Sequence, residues 1–422
     1  MVELTGNFQG TGKKDSYMGK IKNISQLDIS GFDGDFFTGI AADDLTIRSR
    51  GGNDFIKAVT NFTVDFDTYS GPSLSVGSIG IGMQSADIKM GKGRDNLSIA
   101  SKVASINRSN AIGLSESSID MGSGRDIVDI KAFSTNLGFV YFPNVKASGV
   151  ANSTLDAGKG DDTVNINTKV LGKSLRGNSY RLSELSAYGV DQGTILGGEG
   201  SDVINISTVV NLDPEVATDE VQSGVRTIAV GIGNGSTVNG GDNDDTINIK
   251  VSVDRLTAPS GGSVPGIRER FIGVYGGSKV YGGAGNDSIS IEVTRDASQT
   301  IAVGVNNSRV SGGSGDDRLY IRGVNLDLDD ALITGGKGKD IFNTGIGEAT
   351  ISGGKGTDLI KLNFFDSDTM SIELLGENSI QITGTQDKLG NSDSWTQTIN
   401  DVEQYSIGGK TYNAAKVVNV LS

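Results

Sequence analysis

Residues 335–361 read GGKGKDIFN TGIGEATIS GGKGTDLIK and divide into three consecutive segments of nine residues. The first and third segments fit the pattern G-G-x-G-x-D-x-U-x, in which U is apolar. The middle segment keeps the spacing but carries Ala349 where the others carry Asp340 and Asp358. A repeat of fixed period indicates units that stack to bury a shared core. This stretch therefore predicts a β-solenoid with two nine-residue turns per coil.

An Asp-centred turn of the same kind recurs ten times along the chain. An apolar residue lies two positions after each Asp and another lies seven positions before it, so two apolar columns accompany the carboxylates. Ten copies in phase with these columns make ordinary Asp-Gly turn chemistry a weak explanation. The aspartates of the ten turns are Asp54, Asp95, Asp126, Asp162, Asp202, Asp245, Asp287, Asp317, Asp340 and Asp358.

The distance from one Asp turn to the next varies between 18 and 43 residues, so most coils carry an insert. Most inserts end in a segment that resembles the middle nine and has a small residue, such as Ser117 or Ser278, at the Asp position. Alternating segments such as DTINIK at 245–250 predict short strands that bury every second residue. We therefore predict an all-β fold, a right-handed parallel β-roll or β-helix with two nonapeptide turns per coil. The inserts are expected to leave it as loops from one region of the surface.

The Asp turns have the composition of calcium sites. Glycines four and two residues before each Asp let the backbone adopt positive φ and turn its carbonyls toward a shared point. Asp oxygens and carbonyls from neighbouring coils then form an oxygen cage, which Ca²⁺ accepts with about six to eight ligands at ~2.3–2.6 Å. The predicted metal-site glycines, with one Asn, are Gly91, Gly93, Gly122, Gly124, Gly158, Gly160, Gly198, Gly200, Gly241, Asn243, Gly283, Gly285, Gly313, Gly315, Gly336, Gly338, Gly354 and Gly356.

Two of the ten turns depart from this pattern. The turn of Asp54 has Arg50 in place of the earlier glycine, and the turn of Asp245 has Asn243 in place of the later one. Ten turns leave nine spaces between them, and discounting the three spaces that touch an imperfect turn leaves six. We therefore expect about six to nine bound Ca²⁺ ions per chain.

Composition excludes several classes of function. Acidic residues outnumber basic ones by 51 to 37, which gives a formal net charge of −14 and disfavours a nucleic-acid partner. The chain has no Cys and no His, which excludes disulfides, zinc sites built on sulfur and Ser-His triads. No stretch approaches a membrane-spanning run, and residues 1–19 contain no apolar core of signal-peptide length. We expect a protein that is not an enzyme and has no membrane span.

The repeats resemble the RTX, or haemolysin-type calcium-binding, family. The segment TINDVEQYSIGGKTYN at 398–413 is also similar to the region before the C-terminal secretion signal of such proteins. The resemblance implies type I export without a cleaved N-terminal signal, and hence a secreted protein at the cell surface. It divides the chain into an N-terminal cap (1–46), a calcium-binding solenoid with inserts (47–362) and a C-terminal β cap with the secretion-signal region (363–422).

Two classes of function stay open at this point. Because repeats fill most of the chain, we favour a structural protein of a surface layer, sheath or filament that assembles with copies of itself in calcium. The alternative is an adhesin, or a β-helix protein that binds or modifies a cell-surface polysaccharide. The residues that the polysaccharide hypothesis would use lie mostly in the inserts: Tyr141, Tyr180, Arg181, Tyr188, Arg268, Arg270 and Lys279.

Overall fold

A computed structural model describes residues 4–9, 16–21, 36–49, 51–64, 77–105, 108–136, 144–172, 184–212, 226–255, 268–295, 302–388 and 391–421. Nearly all of these residues belong to two long sheets whose strands are mainly parallel. The predicted all-β parallel solenoid is therefore confirmed. The described chain contains one helix, α1, at Ala414–Leu421.

The first sheet, sheet A, contains twenty-two strands among the described residues. They are β1 Leu4–Gln9, β3 Phe36–Arg48, β5 Gly77–Gln84, β6 Asp87–Lys89, β7 Lys92–Gly93, β9 Arg108–Ser115, β10 Ser118–Asp120, β11 Ser123–Gly124, β13 Asn144–Ala151, β14 Thr154–Lys159, β16 Glu184–Asp191, β17 Thr194–Glu199, β19 Arg226–Gly233, β20 Thr237–Asp242, β22 Arg268–Tyr275, β23 Lys279–Ala284, β25 Ala302–Ser314, β27 Asn325–Gly338, β29 Gly347–Gly356, β31 Met370–Gly376, β32 Ser379–Lys388 and β33 Asn391–Asn400.

The second sheet, sheet B, contains thirteen described strands. They are β2 Ser16–Ile21, β4 Phe55–Val64, β8 Asn96–Ser105, β12 Ile127–Asn136, β15 Thr163–Gly172, β18 Val203–Leu212, β21 Thr246–Arg255, β24 Ser288–Arg295, β26 Arg318–Arg322, β28 Ile341–Asn343, β30 Leu359–Lys361, β34 Gln404–Ile407 and β35 Lys410–Tyr412.

Each coil passes once through both sheets. In the coil after Asp162, β15 lies in sheet B, and β16 and β17 lie in sheet A on either side of Gln192, whose φ is +53°. Asp202 then returns the chain to sheet B. Equivalent residues of successive coils pair in register, as Ile166 does with Ile206. The stacked strands satisfy their backbone hydrogen bonds between coils and repeat every side chain as a column.

The two apolar columns predicted around the aspartates form one core that extends along the solenoid. Ile204 and Ile195, two residues after and seven before Asp202, are both buried and belong to it. Burying branched apolar side chains on the inner face of each strand stabilises the stack by about 1.5–3 kcal/mol per side chain. The alternation of the sequence therefore decides which face of each strand points inward.

A column of seven glycines narrows the space between the sheets, and the sequence analysis did not identify it. A Cβ built on any of them would lie 2.3–2.6 Å from the Cγ2 atom of an isoleucine in sheet B. Beyond the glycines, a separate second core contains Val170, Leu185 and Ala187. The seven are Gly82, Gly113, Gly149, Gly189, Gly231, Gly273 and Gly304.

Part of each insert prolongs the sheets instead of leaving them. The coil without an insert has three residues in β28, whereas coils with long inserts have ten residues in β12 and β15. These longer strands pair in register along almost their whole length and enclose the second core. The remaining insert segments, such as 137–143 and 173–183, lie outside the described residues.

The two ends of the array differ. Residues 4–21 contribute β1 and β2, which pair in parallel with β3 and β4, so solenoid-type pairing extends before residue 47. After Leu362 the pairing becomes antiparallel between β31, β32 and β33 and between β34 and β35. The sequence analysis predicted a β cap here but not α1, which begins where the Asn413 side chain accepts the Lys416 N–H at 2.9 Å. Within the described residues no helix is long and apolar enough to cross a membrane.

Candidate metal site

The ten aspartates form one continuous ladder of hydrogen bonds along an edge of the solenoid. The backbone N–H of each of the first nine aspartates donates to the Oδ1 atom of the Asp in the next coil at 2.7–2.9 Å. All ten residues are buried, with exposed fractions between 0% and 2%. The structure therefore brings every predicted Asp into a single column, with one carboxylate per coil.

Glycine is required in these turns because successive turns stack backbone against backbone. The residue two positions before each Asp has positive φ in all ten turns, including Asn243 at +77°. A Cβ on Gly336 would lie 1.9 Å from the Gly313 carbonyl oxygen of the preceding coil. The prediction of positive φ thus holds at these positions, and among the glycines four residues before an Asp it fails only at Gly91.

The second oxygen of each carboxylate has a different environment from the first. Nine Oδ2 atoms are buried and have no hydrogen-bond partner among the described residues. They belong to Asp95, Asp126, Asp162, Asp202, Asp245, Asp287, Asp317, Asp340 and Asp358. Asp54 differs, because the Ser49 hydroxyl donates to its Oδ2 atom. A buried, unpaired carboxylate oxygen is costly, so these nine atoms are candidate cation ligands.

Burial raises the pKa of these carboxyl groups above the ordinary Asp value of 3.8. The hydrogen bond from the neighbouring N–H lowers the pKa, and the charges of nearby carboxylates raise it further. The pKa rises to about 8 for Asp245, the largest value in the ladder. For the others the pKa rises to about 6 in Asp95, Asp162, Asp287 and Asp340 and about 7 in Asp126, Asp202 and Asp317. The column therefore resists carrying its full negative charge without a cation.

The unpaired oxygens converge with backbone carbonyls. A Cβ on Gly240 would lie 2.4 Å from Oδ2 of Asp245 and 2.5 Å from the Gly282 carbonyl oxygen of the next coil. One carboxylate oxygen and one carbonyl oxygen therefore border the space that this glycine leaves free. No three His, Cys, Asp or Glu side chains of the described chain cluster as metal ligands, so a cation here depends on backbone carbonyls as well. This donor set fits Ca²⁺, which accepts carbonyl oxygens readily.

The residue five positions before each Asp was missed by the sequence analysis. The six turns from Asp202 onward have glycine there, and an added Cβ would lie 2.2–2.5 Å from the Oδ2 atom. The three preceding turns have Met90, Met121 and Ala157, all buried. The doubled glycine of the motif was the available signal. The six glycines are Gly197, Gly240, Gly282, Gly312, Gly335 and Gly353.

The small-residue turns on the opposite edge of the solenoid satisfy most of their own polar groups. The residue before the small residue adopts positive φ in most of these turns, as Glu116 does before Ser117. The Ser117 hydroxyl donates to the Ser115 carbonyl at 2.6 Å and accepts the Ala86 N–H at 3.0 Å. Most hydroxyls of these turns are therefore satisfied by the protein itself; Ser308 Oγ is buried and has no hydrogen-bond partner among the described residues.

The residues of the polysaccharide hypothesis do not form one site in the described structure. Tyr141, Tyr180 and Arg181 lie outside the described residues, as does the side chain of Arg268. Tyr188 is in β16, Lys279 is exposed in β23, and Arg270 donates to the Tyr275 hydroxyl at 2.7 Å. A shallow groove of about 630 Å³ lies elsewhere, on the outer surface of the early Asp turns. It is lined by Asn53, Gly93, Arg94, Gly124, Arg125, Gly160 and Asp161.

Comparisons with known proteins add no relative to this geometry. No family model matches the sequence, and no curated protein matches it.

Proposed function

We propose that this protein is a calcium-binding structural protein whose solenoid folds around a row of Ca²⁺ ions held along the Asp edge. The observation that carries this proposal is the row of nine buried Oδ2 atoms without a hydrogen-bond partner in the described chain. Each belongs to a carboxylate whose other oxygen is fixed by the ladder, so the free oxygen has a defined position. Such atoms are explained by a bound cation better than by turn structure alone.

Electrostatics supports the same proposal. Nine carboxylates lie in one buried row, and each has an oxygen without a hydrogen-bond partner in the described chain. Without a cation, the burial of their charge and their mutual repulsion oppose folding. Nine divalent cations would change the formal net charge from −14 to +4. Because the site does not exist in the unfolded chain, the free energy of calcium binding becomes free energy of folding.

We further propose that the protein works outside the cell, where calcium reaches the ~10⁻⁴–10⁻³ M range in which extracellular calcium modules bind. The RTX resemblance of the repeats supports secretion by a type I system. A chain that stays loose where calcium is scarce and folds where it is abundant suits that route. The same resemblance, with an array of coils that leaves little room for a catalytic domain, supports a non-enzymatic role in a surface layer or filament.

Circular dichroism in the far ultraviolet tests calcium-coupled folding. In excess chelator the spectrum is expected to be largely disordered, and Ca²⁺ at about 1 mM is expected to produce a β spectrum. Mg²⁺ at the same concentration is the matched control and is expected to have little effect, because it demands a rigid octahedral site. A β spectrum of full amplitude in chelator would overturn the proposal.

Electron microscopy tests the structural role separately. Sheets or filaments that appear with Ca²⁺ and dissolve in chelator are expected if the protein assembles with its own copies. Monodisperse rods in calcium would remove the assembly part of the proposal and leave a soluble calcium-binding protein.

The groove on the early Asp turns supports a second function, binding of an acidic polysaccharide. Arg94 and Arg125 both line it, and Arg125 pairs with the exposed Asp161 at 2.9 Å. Guanidinium groups bind carboxylates in two-pronged geometry, which uronic acids provide. Replacing both arginines by Ala is expected to abolish retention on an alginate or pectate column. Unchanged retention would exclude the groove as a binding site.

A further inference from the structure

We propose that residues Asp401–Glu403 act as an eleventh turn and complete a last calcium site with Asp358, which joins the solenoid to its C-terminal cap. This inference rests on the proposed function, since it completes the last Ca²⁺ site of the same column. It assigns the site to three residues outside the repeat pattern. None of them lies in a G-G-x-G-x-D segment.

Strand pairing gives Glu403 the place of a ladder residue. Strand β29 pairs in parallel with β33, and β30 pairs in parallel with β34, as successive coils do throughout the solenoid. The residue after Glu403 pairs with Leu359, the residue after Asp358, so Glu403 and Asp358 are equivalent in register. Tyr405 continues the apolar column of Ile360 and is fully buried. Residues 399–406 therefore stack on the last coil as a shortened turn.

Hydrogen bonding extends the ladder by one step. The Asp358 N–H donates to Oε2 of Glu403 at 2.8 Å, as each earlier Asp N–H donates to the Asp of the next coil. In the repeats, seven residues separate an isoleucine such as Ile351 from its Asp, whereas only four separate Ile399 from Glu403. The shortened turn lacks the glycine loop that carries Asp to the column. The additional methylene of Glu compensates for this shorter path.

The same oxygens converge here as in the repeats. A Cβ on Gly353 would lie 2.4 Å from the unpaired Oδ2 of Asp358 and 2.1 Å from the Asp401 carbonyl oxygen. The Asp401 carbonyl therefore occupies the position that the Gly282 carbonyl has beside Gly240. Asp401 has a φ of +52°, which lies in the left-handed region. Its backbone therefore turns instead of continuing the extended strand.

The position of this turn couples the cation to the cap. The other carboxylate oxygen of Glu403, Oε1, accepts a hydrogen bond from Nδ2 of Asn378 at 3.1 Å. Asn378 lies between β31 and β32, and β32 packs on β33, which carries the buried Trp395. A Ca²⁺ ion between Asp358 and the shortened turn would therefore fix the cap onto the last coil.

Trp395 makes the coupling measurable, because it is the single tryptophan of the chain and lies in the cap. Its fluorescence during a calcium titration reports cap docking, while equilibrium dialysis counts the bound ions. The test variant is Glu403→Gln, which keeps an acceptor for the Asp358 N–H but loses the charge. Glu403→Asp keeps the charge and loses the reach. Glu373→Gln is the matched control, because it removes an exposed carboxylate of β31 that lies outside the ladder.

Both Glu403 variants are expected to shift the midpoint of the Trp395 transition to about tenfold higher calcium, equivalent to about 1.4 kcal/mol, and to bind one ion fewer than the natural chain. Glu373→Gln is expected to leave the Trp395 midpoint and the ion count unchanged. Wild-type midpoints and ion counts in both Glu403 variants, with native β spectra, would overturn the inference while leaving the repeat sites intact. A natural chain that binds no calcium at all would instead overturn the proposed function.

Discussion

At the scale of the residue, each ladder aspartate uses its two carboxylate oxygens differently. Oδ1 accepts the N–H of the preceding coil and contributes to stacking whether or not a cation is present. Oδ2 has no described partner, so its charge stabilises the fold only when a cation is bound. An Asn side chain would keep the first interaction and replace the second with an amide donor. The two contributions can therefore be separated by one substitution.

Asp245→Asn is expected to have opposite effects in chelator and in calcium. In chelator it removes the carboxylate with the highest pKa of the ladder and is expected to stabilise the fold by about 1–3 kcal/mol. In calcium the variant is expected to bind at least one ion fewer and to melt at lower temperature than the natural chain. The residual β amplitude of the circular dichroism spectrum in chelator and the melting temperature in calcium measure this, with the exposed Asp242→Asn as control. Destabilisation in both conditions would contradict the division between the two oxygens.

The raised pKa values also predict how the calcium-free fold depends on pH. The folded pKa of ladder residues such as Asp126 and Asp245 lies at about 7 and about 8, above the ordinary 3.8. The folded chain therefore binds more protons than the unfolded chain in this interval, and stability falls as pH rises from about 4 to about 8. In chelator, the β amplitude of the circular dichroism spectrum is expected to be largest near pH 4 and to decrease steadily toward pH 8, where the chain is largely disordered. An amplitude that rises toward pH 8 would contradict buried, uncompensated carboxylates.

At the scale of the element, the glycine column sets how closely the two sheets approach. Gly189 in sheet A faces Ile206 in sheet B. This close approach of the two sheets lies between the narrow first core and the second core. Because its φ is not in the left-handed region, Gly189 is needed for space and not for conformational freedom. Its role therefore differs from that of the turn glycines such as Gly336, which combine positive φ with close stacking.

Gly189→Ala is expected to destabilise the calcium-loaded protein by about 1–3 kcal/mol, the usual cost of overpacking. The new Cβ would lie 2.4 Å from Cγ2 of Ile206 and 2.5 Å from the Gly231 carbonyl oxygen. Thermal unfolding in calcium measures the loss. Gly376→Ala is the matched control, since only one atom would lie near its Cβ, at 3.9 Å. Equal melting temperatures for the two variants would contradict the proposed close approach.

Sequence periodicity predicted the elements in which every coil repeats the same residue type. The Asp column and the apolar positions around it, such as Ile195 and Ile204, are found where their spacing indicated. The glycine column was missed because its effect depends on the distance between two sheets, which a one-dimensional pattern does not contain. Glu403 was missed because its turn is three residues shorter than a repeat, so only strand pairing reveals its equivalence to an Asp.

At the scale of the whole molecule, the carboxylate column is not uniform from end to end. The six turns from Asp202 to Asp358 have glycine beside Oδ2, whereas Met90 and Met121 fill that position in earlier turns. At the first turn, Ser49 already satisfies Asp54. The stronger calcium sites are therefore expected in the C-terminal part of the array, next to the cap.

This polarity predicts unequal effects of paired substitutions. Replacing Asp340 and Asp358 by Ala is expected to raise the calcium midpoint of folding for the whole protein more than replacing Asp95 and Asp126 does. The reason is that the C-terminal pair holds glycine-lined sites without an insert between them, from which the other coils can stack. Calcium titrations followed by circular dichroism compare the two double variants. An equal or larger effect of the N-terminal pair would contradict the polarity.

The most direct test of the calcium column is the number of Ca²⁺ ions bound per folded chain, measured by equilibrium dialysis and elemental analysis at saturating calcium. Six described turns have glycine beside Oδ2, and nine described turns have an Oδ2 atom without a hydrogen-bond partner. We therefore predict six to nine ions per chain, lost together in chelator as the solenoid unfolds. A folded solenoid that binds none, or only one or two, would contradict the account.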